Sequence, residues 1–169
     1  MGARFRRAES RRHAREGAAE PGPEDEAIRG RAGRRAGQWR RLNRARRRRL
    51  DQLEAPTAND EYLLYQTLLG AWPQSYDDAA VPAAFGERVE SYLVKVVREA
   101  KAVSSWVNPN EEYEAVLTGF ARALLGAETN ARFLESFLPF QRKVAWFGML
   151  NSLSMALLKL TAPGVPDIY

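Results

Sequence analysis

The sequence has no cysteine and a single histidine, His13. Disulfides and thiolate metal sites are therefore excluded, and one histidine near the N-terminus cannot by itself build a zinc site or a Ser-His-Asp triad. The absence of cysteine fits a reducing, cytoplasmic setting. No phosphate-cradling glycine loop, serine nucleophile elbow or metal-ligand spacing is present, so no cofactor and no metal are expected. Long apolar runs are scarce as well. The longest, 144–158, contains Asn151, Ser152 and Ser154 and falls short of the ~18–20 residues that span a bilayer, so no membrane role is expected. The N-terminal arginines have no apolar stretch behind them, which argues against a secretory signal.

Basic charge is abundant but unevenly placed. Residues 1–50 carry 17 Arg, no Lys and six acidic residues, a net of +11, whereas 51–169 carry a net of −6. The basic pI thus belongs to the N-terminal third. Residues 1–37 hold few large apolar side chains, so they are expected to be disordered, a solvated tail whether native or not. An arginine-rich arm would neutralise nucleic-acid phosphates. The aromatic interleaving that base stacking needs is almost absent, however, and this disfavours nucleic acid as a partner.

From residue 38 onward the pattern is helical. Trp39, Leu42, Leu50 and Leu53 fall near one face of an expected helix over 38–54. Pro56 breaks the chain, and Thr57 or Asn59 can cap a second helix whose first turn holds Asp60 and Glu61 and which ends at Gly70. Val89, Tyr92, Leu93, Val96, Ala100 and Val103 mark an amphipathic helix over 83–104. Asn110 starts another helix and Gly126 stops it. A short helix over 128–138 leads through Pro139 into a helix over 140–160 that is apolar on nearly every side. Such a helix should be buried between other elements. It stops at the Pro163–Gly164–Val165–Pro166 turn, which feeds a short β-prone run. The expected fold is mainly α, a helical fragment of five to six helices ending in one strand. A buried helix feeding a lone strand implies a sheet that this sequence does not contain.

These same residues carry a resemblance. NSLSMALLKLTAPGVPDIY (151–169) resembles the approach to the eighth strand of the catalytic (β/α)8 barrel in the maltooligosyl trehalose synthases of the α-amylase superfamily. NDEYLLYQTLLGAWP (59–73), REAKAVSSWVNPNEEYE (98–114) and QWRRLNR (38–44) match the same family in the same order. The resemblance covers about residues 38–169 and implies three parts: 1–37 outside it, 38–160 as a helical region inserted between the last two barrel strands, and 161–169 as the turn and start of the final strand. It also implies the parent reaction, a (1→4)-α-D-glucan 1-α-D-glucosylmutase activity. This isomerase of trehalose biosynthesis turns the reducing-end α-1,4 linkage of a maltooligosaccharide into an α,α-1,1 linkage by intramolecular glucosyl transfer.

The family's retaining mechanism uses an Asp nucleophile, a Glu acid/base and a second Asp, on the fourth, fifth and seventh barrel strands. None of these lies in the matched stretch. The family's His-Asp-Thr-Lys-Arg motif upstream of the matched tryptophan has no counterpart either, for residues 4–8 read RFRRA. The resemblance therefore implies no catalytic residue in this chain, only rim positions for substrate: Trp106, Asn108 and Tyr113 in the 98–114 stretch, and Asp167 and Tyr169 at the end of the strand. The residues themselves allow a plainer role, with Trp106 as a buried loop anchor and Asn108 as a cap.

Two functions remain open. One is part of a glucosyl-transferring isomerase, inactive alone and prone to self-association. The other is an independent helical interaction or RNA-binding domain. An independent domain must cover the 140–160 helix, whereas a fragment leaves it exposed.

Overall fold

A computed structural model describes residues 23–51, 53–73, 81–126 and 130–164. The chain divides into two compact units, 1–35 and 36–169. The described part of the first is the opening of helix α1, Pro23–Leu42. The expectation of disorder across 1–37 is thus corrected over 23–37, where Pro23 begins the helix and acidic residues follow at once. Both features suit a helix N-terminus. Residues 1–22 lie outside the described residues.

The second unit is mainly helical, with one short hairpin. Expected as one helix over 38–54, the chain instead leaves α1 at Leu42, makes a 3-10 turn at Arg44–Arg46, and forms strands β1 (Arg48–Leu50) and β2 (Leu53–Ala55). These pair antiparallel, with Leu50 opposite Leu53 and Arg48 opposite Ala55. Asp51 turns the chain at φ 50, a left-handed conformation that Asp tolerates. Tertiary bonding ends the helix. The Asn43 amide donates to the Trp39 carbonyl and to the Tyr65 hydroxyl, and its oxygen accepts from the Asn130 amide at 2.9 Å. Each of these buried polar groups would otherwise be left unsatisfied.

Helix α2, Ala58–Ala71, is capped by Thr57, whose hydroxyl accepts from the Asp60 N–H. Helix α3, Ala83–Ala100, buries Phe85, Val89, Leu93 and Val97 at i, i+4 spacing, and Tyr92 stays exposed. It stops four residues before the expected end because Lys101 takes a left-handed conformation at φ 54. Helix α4, Glu111–Leu125, runs from its Asn110 cap to Gly126, as its sequence signals indicate. It packs on α3, and α2 packs on α3 and on the last helix.

That last helix, α5, is continuous over Ala131–Thr161 with Pro139 inside it. The two helices expected on either side of Pro139 are therefore one. An internal proline costs about 3 kcal/mol. Here the turns on both sides pack on the same indole: Phe137 and Phe140 lie 5.3 and 5.9 Å from the Trp39 ring. Trp39 also meets Tyr65 and Phe133 edge-on and donates to Ser136 Oγ at 3.1 Å, so it is the centre of the core.

Burial of α5 stops after Gln141. Leu153 is 61% exposed and Leu160 84%, with Trp146, Phe147, Leu157 and Leu158 more than half exposed. The expected burial of 140–160 is overturned within this chain, because no described element lies over that half of the helix. By length and composition α5 could also cross a membrane, which the 15-residue apolar run alone does not suggest. The expected terminal strand, 165–169, lies outside the described residues.

Candidate functional site

The stretch 98–114 is organised around one carboxylate. Glu114, in the first turn of α4, receives both Nε and Nη2 of Arg98 from the end of α3, at 2.8 and 2.7 Å. It also accepts from the hydroxyl of the buried Ser104, and Ser104 Oγ in turn accepts from the Asn110 N–H at 3.0 Å. One buried glutamate therefore ties together the end of α3, the loop and the start of α4. Arg98 holds the Glu114 carboxyl below the ordinary glutamate range, against the opposing effect of burial.

The clamp positions what the loop exposes. The Arg98 guanidinium sits over the Trp106 ring, 5.2 Å from its centroid, and Trp106 is 56% exposed. Ser105 and Asn108 close the turn: each N–H bonds to an acceptor on the other, at 3.2 and 3.0 Å. Val107 stands at the tip, 96% exposed. Asn108 is exposed and does not cap α4; that role belongs to Asn110, whose Oδ1 accepts from the Tyr113 N–H. Trp106 is not the buried anchor that the plainer reading requires.

Tyr113 is placed elsewhere. Its ring is fully buried, and its hydroxyl donates to Asp60 and accepts from the Thr57 N–H at 3.0 Å. Burial and the Asp60 carboxylate push its pKa up to about 12. It has no face left for a sugar within this unit and instead pins α4 to the start of α2. Asp167 and Tyr169 lie outside the described residues.

A second polar cluster went unrecognised in the sequence. Glu61 is not only a first-turn acid: it is fully buried, accepts from the Tyr65 hydroxyl at 2.7 Å, and faces Arg40 at 3.3 Å and Arg47 at 3.9 Å. The same two arginines reach Glu54 at 3.2 and 3.1 Å. Burial raises the Glu61 pKa despite these cations. Arg40 and Arg47 thus fasten the hairpin to α1 and α2, a structural use for two of the arginines that a nucleic-acid reading would claim. The only sequence signal was the i, i+4 spacing of Glu61 and Tyr65. Among the described residues no group of His, Asp or Glu is arranged to hold a metal ion.

The unit therefore contains a framework and an exposed aromatic loop, with its buried carboxylates committed to structural bonds, and it presents an uncovered apolar helix. An uncovered apolar helix of this kind marks a surface that the described residues of the chain do not complete. No family model matches the chain. A stretch of 115 residues, 68% of the chain, is 35% identical to a protein of Mycobacterium tuberculosis named by inference a maltooligosyl trehalose synthase, of which it spans 14%. The crystal structure of a hypothetical maltooligosyl trehalose synthase from Sulfolobus tokodaii superimposes with a TM-score of 0.63 at 33% identity, over 81% of this chain and 17% of that one. Another maltooligosyl trehalose synthase crystal structure gives 0.65 at 32%, over 80% and 16%. The chain is thus similar to maltooligosyl trehalose synthases over most of its length, and it corresponds to a partial region of those proteins.

Proposed function

We propose that this chain is the part of a maltooligosyl trehalose synthase that follows the seventh strand of the catalytic barrel. In this reading residues 38–160 form a helical insertion between the last two strands, and 161–169 turn into the eighth. The whole enzyme isomerises the reducing-end α-1,4 linkage of a maltooligosaccharide to an α,α-1,1 linkage, in the cytoplasm and without a cofactor. This segment contributes framework and substrate rim, with Trp106 and Asn108 on the rim, while the acid, the nucleophile and the stabilising carboxylate come from other strands. Alone it is inactive.

The observation that carries this reading is the uncovered half of α5. The Ser154 and Thr161 hydroxyls donate back to the carbonyls of Leu150 and Leu157, at 2.9 and 2.8 Å. Both are thus satisfied by their own helix, and the surface around them is prepared for an apolar partner. Burying each large side chain there is worth roughly 1.5–3 kcal/mol, a stabilisation that an independent domain would forgo.

The test has two arms. Purified chain incubated with maltopentaose should leave its reducing ends unchanged. Residues 38–164, exchanged for the matching segment of the Sulfolobus tokodaii enzyme, should give a chimera that forms a non-reducing sugar. Production of that sugar by the chain alone would overturn both the boundary and the catalytic argument.

A further inference from the structure

We infer that Trp106 is a one-sided stacking platform for a glucosyl ring of a linear α-1,4-glucan, with Arg98 and Glu114 as its positioning residues. The inference rests on the reading of the chain as part of a maltooligosyl trehalose synthase, which supplies the ligand class. The geometry supplies the rest. An indole used only to fill space is buried, and the three other tryptophans allow the comparison. Trp39 lies at the centre of the core, Trp72 packs on Phe85 and Phe137, and Trp146 lies on the uncovered half of α5 with the other apolar side chains there.

Of the four, only Trp106 stands on a loop between two helices and is more than half exposed, with a cation over its ring. That cation is itself fixed. Its guanidinium is held by both oxygens of Glu114, which is 6% exposed, and Ser104 bonds to the same carboxylate. The ring is thus oriented before any ligand arrives, which lowers the ordering cost of binding. A pyranose presents a patch of C–H groups that suits an aromatic face, and its hydroxyls need donors and acceptors at the edge. The exposed Asn108 amide, in the turn closed by Ser105, offers one of each.

Saturation-transfer NMR from the full 169-residue chain to maltoheptaose tests this, because the signal is read on the sugar and holds for every variant. Transfer is expected from the native chain, lost in Trp106→Ala, retained in Trp106→Phe and unchanged in Trp146→Ala. Arg98→Met keeps the aliphatic stem and removes the cation; it should weaken half-saturation by about tenfold and shift the Trp106 indole N–H resonance, which a merely structural role at a distance would not do. Trp106 is more than half exposed and is not among the buried core residues, so circular dichroism of its variants should match the native chain.

Absence of transfer from the native chain, or transfer indifferent to Trp106→Ala, overturns the platform. The chimera separates this from the broader reading. An active chimera whose KM for maltoheptaose ignores Trp106→Ala rejects the platform alone. An inactive chimera beside Trp106-dependent transfer in the isolated chain rejects the family-based mechanism alone.

Discussion

The two halves of α5 are built from similar residues and meet opposite fates. Over 131–141, Phe133, Leu134 and Phe137 are buried, and two of these rings pack on Trp39. Over 144–160, Trp146, Phe147, Leu153 and their neighbours face outward. Hydrophobic composition therefore does not decide burial; the presence of a partner does. The first half has its partner in α1 and α2. The second belongs to a surface that the described residues of this chain do not complete, in keeping with a chain that spans 14% of the relative it matches.

The sharpest way to break this comparison is to truncate one ring in each half. Phe137→Ala removes a side chain that stacks on Phe133 and packs on Trp39 and Trp72. Urea unfolding should record a loss of about 3–5 kcal/mol, the usual cost of a buried Phe truncation. Phe147→Ala should cost less than about 0.5 kcal/mol in the same assay. Equal losses would mean that the outer half is covered in solution.

A smaller effect concerns the clamp and the core amide. Glu114→Gln removes one end of a charged bidentate pair and should cost about 1.5–3 kcal/mol. Because the folded-state pKa of Glu114 is depressed, its contribution is present above the ordinary glutamate range and disappears as the pH falls through the folded value. The variant should therefore show a flatter acid limb in thermal melts across low pH. Glu61 has the opposite sign. Its raised pKa gives a contribution that is full below the ordinary glutamate range and declines as the pH rises through the folded value, so Glu61→Gln should flatten the curve from the other side. Asn43→Ala strands the Asn130 amide and should cost about 1–3 kcal/mol by denaturant titration.

How much of this was legible before the fold was known follows a physical line. Local signals are legible: the Asn110 cap and the Gly126 stop are decided within four residues of themselves, and of the two caps open at the second helix, Thr57 and Asn59, the fold uses Thr57. The stretch after Leu42 looks helical in the sequence because Trp39, Leu42, Leu50 and Leu53 do fit a helical period. What ends that helix is Asn43 bonding to Tyr65 and Asn130, far away in sequence. Pro139 looks like a break in the sequence because its local cost is visible, while the rings on both sides that offset it are not. At the candidate site, Trp106 and Asn108 were visible as residue types. Glu114 was one acid among several at a helix start, and only the folded chain separates it from Glu111 and Glu112. Tyr113 illustrates the limit, since an aromatic next to an amide reads the same whether it faces a sugar or the core.

The smallest effect on stability should carry the largest effect on behaviour. Phe147→Ser and Leu153→Ser together remove two apolar side chains from the uncovered half of α5, both more than half exposed. Each should change the unfolding free energy of the chain by less than about 0.5 kcal/mol. Contiguous apolar surface of this kind drives association, so the native chain should sediment as more than a monomer and bind a hydrophobic dye. The double variant should shift toward monomer and lose much of the dye signal. In the complete chimera the same two serines should destabilise, because there the surface meets its partner and two hydroxyls would enter an apolar contact. Opposite signs in the two contexts are the specific outcome required. A native chain that is already monomeric, dye-silent and indifferent to both serines would mean that the outer half of α5 is covered within this chain. Partition of the native chain into neutral liposomes, abolished by the serines, would instead identify a bilayer as what that half of the helix meets.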